Sequence, residues 1–184
     1  MFLSIKNVPK VSWSSDKPLN LKPKISTSLF LFFGLALFGL GEGLLIVSAA
    51  GASPWSVLAQ GIHLNINFSV GIITILISIV VLLFWFPLNQ KPGIGTILNA
   101  LIIGLMIDVC MKYVATPEDY ISQLLLATIA VLTVGLGGGI YLVANLGAGP
   151  RDGLMIGLQK KTNNQNQNNE LKEILKNSTE FEEM

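Results

Sequence analysis

Four long apolar runs, almost free of charged side chains, constrain most strongly how this chain can fold. They cover residues 29–49, 68–86, 94–114 and 124–146. A helix needs roughly 20 residues to cross a hydrocarbon core about 30 Å thick, and every backbone N–H and C=O there needs a partner within its own segment. Because 51% of the residues are hydrophobic and only 12% are charged, we predict an all-α membrane protein with about four transmembrane helices.

The polar segments outside these runs predict the orientation. A basic N-terminal arm covers residues 1–28, and a polar tail, expected to be largely disordered, covers residues 159–184. Lys and Arg residues occur in the N-terminal arm, in the second loop and after the fourth run, whereas the first and third loops have none. Since short cytoplasmic segments collect basic residues, we predict that both termini lie in the cytoplasm.

A cleaved signal peptide is the competing interpretation of the first apolar run. That run is longer than the apolar region of most signal peptides, and Glu42 interrupts it. We therefore predict that the run is a membrane span and that residues 29–158 form the transmembrane domain.

An internal repeat relates two parts of the chain at an offset of 96 residues. The matching positions are Gly39 and Gly135, Gly43 and Gly139, Gly51-Ala52 and Gly147-Ala148, and Pro54 and Pro150. A unit of three spans places its second copy upside down, the signature of an inverted-topology duplication. The apolar pattern ends after Leu158, so we predict an incomplete inverted repeat of three-helix units. A truncated or frameshifted reading frame, or a genuine short form that dimerises, would explain the missing part.

Three motifs carry a resemblance to a known family. They are the segments 51–58 (GASPWSVL), 92–100 (PGIGTILNA) followed by 107–108 (ID), and 147–155 (GAGPRDGLM). Over about residues 29–162 the chain resembles the YczE-type bacterial integral membrane proteins, which are related to the YyaS and YitT groups. That family usually has Asp at the position of Ser56 and continues with further spans after the third motif. The resemblance implies a multi-pass protein of the bacterial plasma (inner) membrane, without an established activity.

Polar side chains inside the apolar runs are the first candidates for a functional site: Glu42, Asn99, Asp108 and Lys112. A charged side chain in hydrocarbon costs on the order of 3 kcal/mol, so Glu42 should face protein or water. It would act either as a proton or cation relay or as a hydrogen-bonded structural acid. Asp108 and Lys112 are spaced for an ion pair; if Lys112 reaches Glu42 instead, the three form a charge cluster. Asn99 lies roughly opposite Asp108 and suits helix–helix hydrogen bonding.

A second set of candidates lies in the matching loop motifs: Pro54, Trp55, Gly149, Pro150, Arg151 and Asp152. Pro150 predicts the start of a short helix through Gln159, with Asp152 in its first turn. Arg151 would either bind an anionic substrate or lipid head group, or anchor at the cytoplasmic interface and pair with Asp152. Trp55 is typical of an interfacial aromatic anchor.

Two GxxxG spacings, Gly39 to Gly43 and Gly135 to Gly139, occur at equivalent repeat positions. Such spacings let two helix backbones approach closely. We therefore predict that the first and last membrane helices cross at these glycines. The other explanation is the general glycine richness of membrane helices.

The sequence contains no nucleophile paired with a base, no phosphate-binding loop and no dinucleotide fingerprint. We expect no enzymatic activity, no cofactor or metal, and no nucleic-acid partner. The expected partner is the lipid bilayer, with a homo-oligomer or a membrane protein partner left open. Repeated, glycine-rich broken segments favour a transporter-like or permease-like protein. The alternative is a non-transporting membrane scaffold that assists a partner through its polar arms.

Overall fold

The computed structural model of the chain describes residues 11–163, which are helical with short connections and contain no strand. The helices are α1 (Ile25–Val47), α2 (Pro54–His63), α3 (Val70–Leu83), α4 (Ile94–Tyr113), α5 (Tyr120–Ala144) and α6, residues 150–163. Helix α1 is central, because it packs against both α4 and α5, while α3 packs against α4 and α2 against α3. The predicted all-α architecture is confirmed.

The helices differ in how far they would reach across a membrane. α1, α4 and α5 are long and apolar enough to cross one, whereas α3 has only 14 residues. Pro87 explains this early end, because it lacks an N–H and its ring would clash with the carbonyl of Leu83 in a continued helix. The chain proceeds instead in tight turns as far as Asn89, with Trp85 N donating to Leu82 O at 3.1 Å. The second predicted span is therefore a shorter helix extended by turns.

None of the four predicted spans includes helix α2, although the residues at its start are typical of a helix N-terminus. Ser53 is the N-cap and accepts a hydrogen bond from Ser56 N at 3.3 Å, and Pro54 occupies the first turn. Helix α6 begins at Pro150, as predicted, and continues past Gln159 to residue 163. The rest of the predicted polar tail and residues 1–10 of the N-terminal arm lie outside the described residues.

The helix boundaries follow the offset of 96 residues found in the sequence. Helix α2 starts at Pro54 and α6 at Pro150, and each follows a long helix, α1 or α5. The two long helices run antiparallel, because a Cβ on Gly34 would meet Tyr141 and one on Gly41 would meet Val134. Equivalent segments of the chain thus form equivalent pairs of a long and a short helix.

Close packing of α1 on α5 centres on Gly137. A Cβ there would lie 2.4 Å from Phe38 N and 2.7 Å from Gly34 O. Neither Gly135 nor Gly139 has any atom within 4 Å of such a Cβ. The two helices do cross, as predicted, but the α5 residue at the crossing lies between the two glycines of its GxxxG spacing.

The GxxxG spacing of α1 faces a different helix from the one predicted. A Cβ on Gly39 would lie 2.8 Å from Ile103 Cα, and one on Gly43 would lie 2.6 Å from Cys110 Cβ. Both contacts are with α4, so the predicted pairing of the two GxxxG motifs is wrong. The reason is that α1 has neighbours on two sides and uses different glycines for each.

Part of the N-terminal arm packs on the helix bundle. Ser15 N donates to Ala144 O at 3.0 Å, and Asn145 Nδ2 donates to Ser15 O at 2.8 Å. Asn145 adopts the left-handed conformation, with φ at 54°, that often ends a helix. These bonds satisfy the last turn of α5 and position the segment that leads to Arg151.

The start of α5 is capped by Asp119, whose Oδ2 accepts a hydrogen bond from Ser122 N at 2.8 Å. This backbone hydrogen bond holds the pKa of Asp119 below its usual value. Because the pKa is lower in the folded chain, the cap contributes its full stability above the usual Asp pKa. That contribution is lost as the pH falls through the lowered pKa.

We expect Asp119→Ala to fray the first turn of α5 at neutral pH, because Ser122 N–H loses its acceptor. Asp119→Asn should keep the cap and remove its pH dependence. Hydrogen exchange of the peptide that covers the start of α5 measures both effects. Equal protection in Asp119→Ala and the unaltered chain would contradict the assignment.

Candidate functional site

A cavity lies between α1, α3 and α4 and the first turns of α2 and α6. Its polar side chains are Glu42, Ser56, Thr74, Ser78, Asn99, Arg151 and Asp152. Phe38 and Trp55 contribute aromatic walls. The cavity offers about 60 Å³ to the centres of water molecules, which is room for a few waters or one small solute. Residues from both predicted candidate sets therefore meet at one place.

Glu42 is the buried acid of this cavity, with 5% of its surface exposed. Its Oε2 accepts hydrogen bonds from Ser53 Oγ at 3.0 Å and from Ser56 Oγ at 2.9 Å. Both serines belong to the first turn of α2, where the helix dipole favours a negative charge. The structure places Glu42 against protein, as the insertion cost predicted.

Arg151 connects the two carboxylates of the cavity. Its Nη1 lies 3.4 Å from Glu42 Oε1, and its Nε lies 3.8 Å from Asp152 Oδ1. The guanidinium carbon is 5.2 Å from the centroid of the Phe38 ring, a cation–π arrangement. Both ion pairs found within residues 11–163 involve Arg151. The local pair with Asp152 was predicted from the sequence, whereas the bond to Glu42 on α1 was not.

Asp152 stands in the first turn of α6 and accepts a hydrogen bond from the Tyr141 hydroxyl. Ser56, which binds Glu42, is the residue at the equivalent position of α2 by the 96-residue offset. Each short helix thus has one carboxylate at its N-terminus, supplied by α6 itself in one case and by α1 in the other. Sequence reasoning missed Tyr141, although a phenol in an apolar run requires a hydrogen-bond partner.

Asn99 lies in the cavity wall with 7% of its surface exposed, and its side chain makes no hydrogen bond to any residue from 11 to 163. The predicted helix–helix hydrogen bond is therefore wrong. A Cβ on Gly149 would lie 3.0 Å from both amide atoms of Asn99 and 3.0 Å from Asp152 Oδ2. Asn99 and Asp152 thus both pack closely against Gly149, where a larger residue would crowd them.

Asp108 has a structural role outside the cavity. Its Oδ2 accepts a hydrogen bond from Ser69 Oγ at 2.6 Å, and its Oδ1 accepts one from Gly71 N at 2.8 Å. Lys112 is exposed and lies 5.2 Å from the centroid of the Tyr113 ring. Both the predicted Asp108–Lys112 pair and the Lys112–Glu42 cluster are wrong, because Asp108 instead satisfies N–H and hydroxyl groups at the start of α3.

Three bonds hold the irregular segment between α5 and α6 in place. Gly95 N donates to Leu146 O at 2.8 Å, and Thr96 Oγ1 donates to Ala148 O at 2.7 Å. Trp85 Nε1 donates to Pro150 O at 2.9 Å. Backbone at membrane depth must find such partners. The start of α4 and the turn after α3 therefore fix where Arg151 and Asp152 stand.

Trp55 is half-buried and lines the cavity from α2. Its predicted role was that of an interfacial anchor facing the membrane surface. The structure adds a contact with the site, because α2 turns back toward the bundle instead of forming a simple loop.

Comparison with known proteins places this architecture in a family. The family of unknown function DUF6198 matches residues 25–171. An uncharacterized protein of Haemophilus influenzae is 39% identical over 154 residues, covering 84% of this chain and 70% of that protein. Two Bacillus subtilis proteins are also similar, and no solved structure matches.

The first Bacillus relative is the uncharacterized membrane protein YczE, 33% identical over 72% of this chain and 63% of its own length. The second is the uncharacterized protein YyaS, 30% identical over 70% of this chain and 66% of its own length. The alignments thus span just under two thirds of these two proteins. The resemblance predicted from the three motifs is confirmed, and the chain belongs to the DUF6198 family as a helical, YczE-type membrane protein.

Proposed function

We propose that this protein is transporter-like and that its solute site is the cavity bordered by Glu42, Arg151 and Asp152. The observation that carries the proposal is the convergence of two short helices, α2 and α6, whose N-termini point at one polar cavity inside an apolar bundle. Broken helices that expose such ends near mid-membrane are typical of secondary transporters. Charged side chains at membrane depth commonly mark a solute or ion pathway.

The repeat supports an alternating-access arrangement as part of this proposal. The two units, α1 with α2 and α5 with α6, are related by the 96-residue offset, and their long helices pack antiparallel. Antiparallel packing is what an inverted-topology repeat requires. In this proposal the protein lies in the bacterial inner membrane with both termini in the cytoplasm, and it has no catalytic activity.

The alternative of a membrane scaffold depends on polar arms that are free to bind a partner. In the described part of the N-terminal arm, Trp13 stacks on Phe30 with ring centroids 4.4 Å apart. Thr27 Oγ1 also donates a hydrogen bond to Trp13 O at 2.6 Å. This part of the arm therefore packs on its own chain and is not free to bind a partner, which disfavours the scaffold role. The cavity supports transport instead.

The test is uptake of small radiolabelled solutes by vesicles that contain the full chain, with methylammonium, glycine, acetate and choline as probes. We expect at least one probe to enter faster than into protein-free vesicles. Glu42→Gln should lower that rate by about tenfold or more, because a charge-assisted hydrogen bond contributes roughly 1.5–3 kcal/mol. Asp108→Asn is the matched control, since Asp108 is a membrane-embedded carboxylate outside the cavity.

Both variants are compared at equal amounts of folded protein, judged by gel filtration in detergent. Transport is contradicted if no probe enters above the protein-free rate. It is also contradicted if Glu42→Gln transports as fast as the unaltered chain, or if Asp108→Asn alone abolishes uptake while Glu42→Gln does not.

A further inference from the structure

The crossing of α1 and α5 is symmetric under the offset of 96 residues. A Cβ on Gly41 would lie 2.7 Å from Val134 N, and a Cβ on Gly137 would lie 2.4 Å from Phe38 N. Each residue of one contact is the residue of the other displaced by 96 positions. The carbonyl contacts follow the same rule, and they join Gly41 to Ala130 O and Gly137 to Gly34 O. A local two-fold axis therefore relates α1 to α5 where they cross.

Two other glycines of α1 show what the equivalent face of α5 is shaped to hold. A Cβ on Gly39 would lie 2.8 Å from Ile103 Cα, and one on Gly43 would lie 2.6 Å from Cys110 Cβ. Because the contacts advance in the same direction along both helices, α1 and α4 are parallel at this interface. The two-fold axis places an equivalent helix on the corresponding face of α5.

Gly135 and Gly139 form that face of α5, and no part of residues 11–163 covers it. Both glycines are exposed, with no atom within 4 Å of an added Cβ, whereas Gly39 and Gly43 are buried. Further exposed side chains continue the face at spacings of three and four residues, and they are Leu125, Thr128, Leu132 and Leu142. Only 22% of the apolar stretch of α5 is buried, against 50% of that of α1. Helix α5 thus has a second packing face without a helix on it.

We propose that the face of α5 around Gly135 and Gly139 binds a membrane helix of the α4 type, supplied by a separate polypeptide. Helix α4 presents Ile103, Ile107 and Cys110 to the glycines of α1, at positions i, i+4 and i+7. These side chains are β-branched or small, and glycines opposite them let two helix backbones approach closely. The bound helix would run parallel to α5, as α4 runs parallel to α1.

Two other sources of such a helix fit the face less well. A second copy of this chain already packs the Ile103 to Cys110 side of its α4 on its own α1. Residues 164–184 contain no apolar run of the length that a membrane span requires. The proposal rests on these packing contacts alone and does not depend on transport.

The test uses a synthetic peptide of residues 94–113, the α4 segment, with lysines added at both ends and a fluorophore at one end. The peptide is titrated into the purified full chain in detergent micelles, and binding is followed by fluorescence anisotropy. We expect saturable binding. A peptide of the same composition in scrambled order should bind at least about tenfold more weakly, because poorly matched shapes are costly in a close-packed interface.

Valine variants test whether the glycine face is the binding surface. Gly135→Val and Gly139→Val should each weaken peptide binding by about tenfold or more, because the added side chain holds the backbones apart. Gly61→Val is the matched control, since Gly61 is exposed on α2 and also has no atom within 4 Å of an added Cβ. It should bind the peptide as the unaltered chain does.

Gly139→Cys tests the register of the bound helix. By the two-fold axis this residue should face Cys110 of the peptide, as Gly43 faces Cys110 within the chain. Air oxidation with copper phenanthroline should then join the two thiols in a disulfide, which forms only between closely placed Cβ atoms. Gly135→Cys, one helical turn away, should cross-link poorly.

The assignment is overturned if the peptide does not bind or if the scrambled peptide binds equally well. Unaltered binding in both Gly135→Val and Gly139→Val also overturns it, because the peptide would then occupy another surface, such as the place of the chain's own α4. Cross-linking of Gly139→Cys to a second copy of the chain in preference to the peptide would show that a homodimer uses this face instead.

Discussion

Replacing Gly137 by valine is expected to unfold the α1–α5 interface. The first added carbon would lie 2.4 Å from Phe38 N and 2.7 Å from Gly34 O. These are backbone atoms, so no side-chain rotation relieves the overlap. Overpacking a core costs 1–3 kcal/mol in ordinary cases, and here two helix backbones must separate. We expect a loss of at least about 3 kcal/mol and a fall in the unfolding temperature on the order of 10 °C.

Gly135→Val and Gly139→Val are the matched controls, because they place the same side chain on the same helix. A Cβ at either position meets no atom within 4 Å. Both variants should unfold within about 0.5 kcal/mol of the unaltered chain, as measured by SDS titration followed through tryptophan fluorescence. Similar losses at Gly135 and Gly137 would show that the close approach of α1 and α5 at Gly137 does not set the cost.

Replacing Arg151 by methionine is expected to have the second largest effect, because it leaves the buried Glu42 carboxylate without its cation. Removing one partner of a buried pair typically costs 3–5 kcal/mol. The Arg151 side chain is 34% exposed, so solvent screening lowers the expected loss to about 2 kcal/mol. The same SDS titration measures this change.

The double variant Glu42→Gln with Arg151→Met tests the physical cause. Gln retains an oxygen that accepts from Ser53 or Ser56 but carries no charge, so the double variant should recover much of the stability lost in Arg151→Met. The coupling energy from the four proteins should be about 1–2 kcal/mol. Additive losses would mean that Arg151 stabilises the site through its contact with Phe38 and not through Glu42.

The candidate site shows which side-chain contacts residue spacing can predict in this chain and which it cannot. Asp108 and Lys112 have the spacing of an ion pair on one helix face, yet Asp108 binds Ser69 and Gly71. Local spacing reports only neighbours on the same helix. It contains no information about the N–H groups that begin α3, which are brought to Asp108 by the packing of α3 on α4.

Glu42 and Arg151 illustrate the opposite case. Both residues are candidates from the sequence alone. Glu42 stands out because a carboxylate in hydrocarbon is costly, and Arg151 because it directly follows Pro150. Their contact joins residues far apart in the chain, through the break between α5 and α6. Spacing could not predict this contact, because it depends on Thr96 and Trp85 holding that break against α4 and the turn after α3.

The membrane class, the helical fold and the 96-residue repeat follow from the apolar runs and the spaced glycines and prolines alone, since hydrocarbon leaves the backbone few options. Apolar periodicity cannot choose which face of α1 meets α4 and which meets α5, because lipid is as apolar as either helix. Close backbone approach at Gly39 and Gly137 makes that choice. The same packing brings Glu42, Asn99 and Asp152, from three helices, to one cavity.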